Sequence, residues 1–311
     1  MRARVKRRQT IRRVEIIAIV AIVAVSLSVG FYLALSFSDP RAAVDGKYVS
    51  QKNVEALEAD AVANYGAPGT TVWNSLVTHG ALANITSGSP FTQDGKPVLV
   101  YVGGDFCPFC AVQRWSLVLA LMRFGNVTGL KYMTSALTDQ DLSTITFDSA
   151  KYNSTYLAFS PYEVEDRNEN PQANQTLPSL YATSFQDLGK GAFPFLNFGN
   201  QYYITGAVVD PSILGNLNQT QIIAAITNGN TTAGSLIKQG ANVITALICK
   251  MTGGKPTTVC TNNSIEPLLT LTASYTVPSG GQAADLILAT QWSQTVVPET
   301  YAPGQPERSW A

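Results

Sequence analysis

The sequence predicts an α/β fold: a central mixed sheet of about four or five strands flanked by helices, with a transmembrane helix ahead of it. Three observations carry this expectation. Residues 98–102 are apolar at every position, as in a central strand covered on both faces. The chain then passes through Gly103-Gly104 and Asp105-Phe106-Cys107-Pro108-Phe109-Cys110 into an apolar helical pattern over 111–124 that stops at Gly125. Residues 192–204 form two β-prone runs around Gly199-Asn200, a hairpin signature.

The elements follow in order. Arg2, Arg4, Lys6, Arg7, Arg8, Arg12 and Arg13 precede an uncharged apolar run over 16–37. At about 1.5 Å per residue such a run spans the roughly 30 Å hydrocarbon core of a bilayer. The basic cluster holds 1–15 in the cytoplasm and sends the rest outside. A cleaved signal peptide is the competing reading, but its apolar core is usually only about 7–15 residues long. The length of the run and the Ser38-Asp39-Pro40 that follows favour a retained anchor. Residues 38–66 read as linker and helix, with Val54, Leu57, Ala61 and Val62 at helical spacing. A second helix is expected over 71–82, turns over 90–97, and further strands over 130–134 and 155–159. The polar stretch 162–184, which holds Asn170-Pro171, reads as loop or inserted excursion. Asp210-Pro211 opens a helix over 212–227, and another covers 233–249. Beyond 290 the tail is rich in turn residues.

Lys+Arg and Asp+Glu balance at 21 each. Without the seven N-terminal bases and Glu15, the remainder holds 14 against 20, a net charge near −6. That argues against nucleic acid or an anionic membrane surface as partner. Asn-x-Ser/Thr sequons begin at Asn84, Asn126, Asn153, Asn174, Asn218, Asn230 and Asn262. A chain rich in Asn and Thr produces some of these by composition. The other reading is a glycosylated surface protein, and all seven lie on the outer side of the anchor.

The chemistry is read from Cys107 and Cys110. A cysteine at the start of a helix meets unpaired N–H groups and the positive end of the helix dipole, which favour the thiolate. The thiolate is the nucleophile of disulfide exchange. Pro108 suits the first helical turn, where its missing N–H costs nothing. On this argument Cys107 attacks and Cys110, deeper in the helix, resolves. A zinc half-site and an inert disulfide remain alternatives. Zinc needs further ligands, and the chain has one histidine, His79, besides Cys249 and Cys260. Those two cysteines close a loop containing Gly253-Gly254 and Pro256; they read as a structural disulfide or as a redox shuttle. Asp105 reads as a solvated strand-end residue or a proton relay, Trp115 as packing, and His79 as non-catalytic. Phe193, Phe195, Phe198, Tyr202 and Tyr203 read mostly as core.

Strand, Cys-Pro-Phe-Cys, helix and a later hairpin entered through Phe193-Pro194 resemble the thioredoxin superfamily. The resemblance implies a cis-proline at Pro194 facing the redox pair, with Phe193, Pro108 and Phe109 contacting substrate. It also implies an insertion within about 135–190, because the gap from Cys110 to Pro194 exceeds the compact pattern. The segment from Tyr101 to Trp115, with Leu119 and Gly125 beyond it, is similar to an archaeal family of membrane-anchored thioredoxin-like proteins known as domain of unknown function 929. That similarity extends over about 48–261 and brings no substrate with it.

The resulting organisation is a cytoplasmic stretch at 1–15, an anchor at 16–37, a thioredoxin-like domain over 67–250, and a disulfide loop and tail over 251–311. The expected activity is thiol–disulfide exchange on extracytoplasmic proteins, with a membrane protein as redox partner and no metal or organic cofactor. The alternative is a redox-inert, glycosylated surface module. Pro-Phe between the cysteines supplies neither imidazole nor hydroxyl to the thiolate, so an intermediate reduction potential is expected.

Overall fold

The computed structural model describes residues 19–20, 22–28 and 41–274. The basic stretch at 1–15, most of the anchor expected at 16–37 and the tail from 275 lie outside them. Within 16–37 the described residues are helical and exposed. Among the described residues no helix is long and apolar enough to cross a membrane.

Helix α1 (Gln51–Ala63) starts where the Ser50 side chain accepts from the Asn53 N–H, and it buries Leu57 and Ala61. Helix α2 (Thr70–Thr78) is shorter than the pattern over 71–82 suggests. It stops before Gly80, at φ 67°, and Leu82 turns into strand β1 (Leu82–Asn84). Strand β2 (Thr92–Gln93) turns through Asp94-Gly95 into β3 (Lys96–Gly104). Helix α3 (Pro108–Met122) follows. Four short strands come next: β4 (Asn126–Thr128), β5 (Lys131–Thr134), β6 (Ser143–Thr146) and β7 (Lys151–Asn153). Strand β8 (Ala158–Glu165), helix α4 (Ser179–Asp187) and the hairpin β9 (Phe195–Phe198) and β10 (Tyr202–Thr205) complete the sheet region. The remaining helices are α5 (Gln219–Asn228), α6 (Thr232–Met251), α7 (Thr257–Cys260) and α8 (Glu266–Ser274).

The central sheet has six strands in the order β1-β10-β9-β3-β2, with β8 also on β3. β8 runs parallel to β3, and β9 runs antiparallel to it. Alternation along β3 sorts its side chains. Val98, Val100 and Val102 join Phe195 and Phe185 of α4 on one face. Leu99 and Tyr101 join the larger core built with α1, α2, α3 and α6 on the other.

Three sequence expectations are corrected. The run at 130–134 does form a strand, but it pairs with β6 in a separate ribbon because β8 occupies the place beside β3. The stretch at 162–184 is not a continuous loop: it contains the end of β8 and most of α4. Its polarity misled because Glu163 is completely buried and pairs with Arg114. The helix expected over 212–227 is a 3-10 turn at Pro211–Leu214, broken at Gly215, followed by α5. Asn218 begins α5 with a capping box to Gln221.

α5 and α6 cross closely at Gly234, where a methyl group would overlap the Ala225 carbonyl. Alanine usually strengthens a helix interior. Gly234→Ala is instead expected to destabilise the chain by about 1–3 kcal/mol, read as a lower thermal midpoint. An unchanged or raised midpoint would show that this contact does not constrain the fold.

Candidate functional site

Strand β3 delivers the chain to Cys107, which is the N-cap of α3. Its Sγ accepts from the Cys110 N–H at 3.2 Å, and Pro108 occupies the first turn. Cys107 is 5% exposed and Cys110 fully buried; both are free thiols. Burial pushes the Cys107 pKa up, but hydrogen bonds from the Cys110 thiol and N–H, the Arg114 charge and the Phe109 N–H outweigh it and bring it below the usual thiol value. Burial, the hydrogen bond with Cys107 and the charge of Cys107 push Cys110 well above that value. The two thiols are thus differentiated in the sense that attack by Cys107 requires.

The register Val102↔Phe195 puts Pro194 just beyond the ladder, at the end of the sheet where β3 leads to Cys107. The Phe193–Pro194 peptide is cis, and Pro194 is buried. The Phe106 and Phe193 rings meet edge to face with centroids 6.1 Å apart, so the neighbours of Cys107 and Pro194 are in contact. The Pro194 carbonyl accepts from the Gly206 N–H at 2.8 Å. Gln113 Oε1 accepts from the Val208 N–H at 2.8 Å, tying α3 to the same segment. Among the described residues neither the N–H nor the C=O of Phe193 has an intrachain hydrogen bond. Phe193 and Phe109 are half-buried, and Pro108 is buried.

Beneath the pair lies a network that the sequence reading missed. Arg114 is fully buried. Its Nε donates to Glu163 Oε1 at 2.8 Å and its Nη2 to Glu163 Oε2 at 2.7 Å. Nη2 also reaches the Gly104 carbonyl at 2.7 Å and Asp105 Oδ1 at 3.5 Å. Glu163 accepts further from Tyr101 Oη at 3.4 Å and the Phe147 N–H at 3.3 Å. The one hint in the sequence was an arginine inside an apolar helix, four residues beyond Cys110. Nothing in the pattern marked its partner.

Asp105 is 3% exposed, which corrects its reading as a solvated residue. Gln172 Nε2 donates to it at 3.1 Å. Burial and the Glu163 charge raise its carboxyl to about 7, against the Arg114 charge and a hydrogen bond with Thr146. Trp115 is buried and donates from Nε1 to the Ser143 carbonyl at 3.3 Å. His79 sits at the end of α2 with Nδ1 2.7 Å from the Ser75 carbonyl oxygen.

Residues 84–186 match the family described as a domain of unknown function (DUF929). The match includes Cys107, Cys110, Arg114 and Glu163, and it stops short of Pro194 and Cys249. It is narrower than the similarity expected over 48–261. No curated protein and no solved structure matches the chain.

Cys249 and Cys260 are joined with Cα atoms 5.7 Å apart. They lie far from Cys107, as the helix contacts show. α3 and α6 run side by side in the same direction, with Ser116 Oγ donating to the Ile237 carbonyl at 3.0 Å and Arg123 Nη1 to Thr245 Oγ1 at 2.7 Å. Cys107 starts α3, whereas Cys249 is one turn beyond Thr245, a separation of roughly 20 Å or more at about 1.5 Å per residue. No groups of three or more His, Cys, Asp or Glu that could hold a metal occur among the described residues. Of the sequons, Asn126, Asn153, Asn218 and Asn230 are exposed, while Asn84 and Asn262 are half-buried. Asn126 and Asn153 face each other across the β4–β7 ribbon, and Asn174 lies in the 3-10 turn Ala173–Gln175.

Two outcomes follow from these positions. The folded Asp105 pKa lies above its unfolded value, so the native state binds the extra proton between about pH 4 and 7, and stability falls as pH rises through that window. Asp105→Asn is expected to flatten the fall by a few kcal/mol in urea titrations at the two ends of the window. An unchanged slope would assign the pH dependence to other groups. Replacing Cys249 and Cys260 by alanine is expected to cost about 3 kcal/mol of stability. Cys107 alkylation should stay within about twofold, since the bridge lies far from the thiol; a larger change would couple the two sites.

Proposed function

We propose that the chain is a thiol–disulfide oxidoreductase of the thioredoxin-like type, anchored by 16–37 with its domain on the outer face of the cell membrane. The observation that carries this is the asymmetry of the pair: a lowered Cys107 at a helix N-cap, and a raised, buried Cys110 one turn on. The unpaired Phe193 backbone at the adjoining strand end supports the placement of an extended substrate segment there. The run β10-β9-β3-β8 within the sheet, with β8 parallel and β9 antiparallel to β3, fits the thioredoxin-like reading. In it, the added chain is mainly the β4–β7 and β5–β6 ribbons. The uncharged run with its basic flank and the exposed sequons support the location.

In the reaction, the Cys107 thiolate attacks one sulfur of a substrate disulfide. That S–S bond breaks, a mixed disulfide forms, and one substrate thiolate leaves. Cys110 loses its proton and attacks the Cys107 sulfur; a Cys107–Cys110 disulfide forms, and the second substrate thiolate departs. Two electrons pass from the pair to the substrate, and the same steps reversed donate a disulfide. A dithiol or disulfide membrane protein restores the starting state. No metal or organic cofactor has a part in these steps.

A redox-inert surface module is the second reading, and the low exposure of Cys107 is the observation in its favour. Equilibration of the full chain, in detergent micelles, with glutathione buffers separates the two. The exchange reading expects a reversible transition between about −120 and −270 mV, and an intermediate value from Pro-Phe. Cys107→Ser should abolish turnover, and Cys110→Ser should accumulate the mixed disulfide. A pair still oxidised below about −300 mV, or one that never forms a disulfide, would leave the module reading.

A further inference from the structure

The thiolate of Cys107 needs more stabilisation than its own dipeptide supplies. Pro108 has no N–H, and Phe109 has neither imidazole nor hydroxyl. Arg114 lies four residues beyond Cys110 and seven beyond Cys107, on one face of α3. Helical side chains lean toward the N-terminus, so Arg114 reaches back under the cysteines. Its bond to the Gly104 carbonyl, three residues before Cys107, fixes that reach.

We propose that Arg114 is the fixed cation of the redox pair, a positioning residue that holds positive charge beneath Cys107 as its thiolate forms. This rests on the reading of Cys107 as the attacking thiol. Glu163 would cancel the charge if it were bound to Arg114 alone. Its oxygens are shared, however, with Tyr101 Oη and the Phe147 N–H. The fork to Glu163 uses Nε and Nη2; among the described residues the buried Nη1 has no hydrogen-bond partner, which leaves one side of the guanidinium uncompensated. Asp105 adds negative charge at 3.5 Å only once it has lost its proton. The remaining groups around the cluster are Tyr101 from β3, Thr146 from β6, Asp148, and the two cysteines. The Arg114 charge favours the thiolate of both cysteines, while Glu163 opposes it at Cys110. Because the cation is sealed from water, its effect resists added salt, unlike that of a surface lysine.

The test titrates the thiolate absorbance of the reduced full chain in detergent micelles, with pH-dependent iodoacetamide alkylation of Cys107 as a second readout. Arg114→Gln combined with Glu163→Gln removes both charges of the fork, so neither of its two partners is left as an orphan ion. It is expected to raise the lower thiolate midpoint by about one pH unit and to slow alkylation at neutral pH about tenfold. Arg114→Lys keeps the charge and should keep most of the shift. Glu163→Gln alone should move the midpoint down, opposite to the double variant, whereas a merely structural role would move both the same way. A double variant with a native circular dichroism spectrum and an unmoved midpoint would overturn the proposal. So would a Glu163→Gln midpoint that shifts in the same direction as the double variant. The midpoint is read without any substrate, so a failure to exchange protein disulfides would remove the proposed function and leave this result standing.

Discussion

The ion pair between Arg114 and Glu163 is the constraint on which the cysteine end of the molecule depends. Both side chains are wholly excluded from water. A charge sealed in this way costs several kcal/mol unless its partner and hydrogen bonds are well placed, and even a good pair roughly breaks even against apolar packing. Net stability is therefore a poor explanation for it. Geometry is a better one. The planar fork joins α3 to β8, and β8 is hydrogen-bonded along β3. The helix bearing the cysteines, the strand feeding them and the strand beside it are held in one arrangement by the four hydrogen bonds that the Glu163 carboxylate accepts and by the Arg114 bond to the Gly104 carbonyl.

That arrangement leaves little room at the strand end, and the glycines there are a consequence. A Cβ on Gly104 would meet the Phe106 ring, and one on Gly103 the Tyr101 hydroxyl. Phe106 can lie back across Gly104 and still touch Phe193, which brings the β9 end toward the thiol. Phe193 in turn stacks on Phe185 of α4, with centroids 5.5 Å apart. A chain of aromatic contacts thus runs from the residue before Cys107 through the residue before Pro194 to the helix on the far face of the sheet.

Local patterns were legible in the sequence where a single element decides them. The apolar 98–102 run, the helix after Cys110, and the Gly199-Asn200 turn, with Asn200 at φ 57°, each follow from residues within a few positions. The cysteine pair was legible for the same reason. What escaped depended on partners distant in sequence. Glu163 looked like loop because polarity is scored locally, yet its burial is set by an arginine 49 positions away. Asp105 looked solvated because nothing near it in sequence announces the Gln172 side chain and Arg114 that close over it. The run at 130–134 had strand chemistry, but sheet membership is a competition, and β8 with its longer register beside β3 takes the place.

The far end of α3 uses the opposite electrostatic solution, and the contrast bears on what each end is for. Arg123 caps the helix, where a cation complements the negative end of the dipole. It donates to the Ala61 carbonyl at 3.0 Å and to Thr245, and it lies over the Tyr65 ring at 4.0 Å. Burial lowers its pKa to about 10, which still leaves it protonated at neutral pH. A neighbouring pair, Lys238 to Asp60 at 2.8 Å, completes the clamp of α1 onto α6. Neutral acceptors and an aromatic face hold Arg123, and the Asp60 charge acts on it from nearby. At the cysteine end the arginine is held by carboxylates, and Asp105 titrates at about 7. One helix therefore carries an arginine hydrogen-bonded to neutral groups where it joins the scaffold, and one whose surroundings change with a single proton where it meets the thiols.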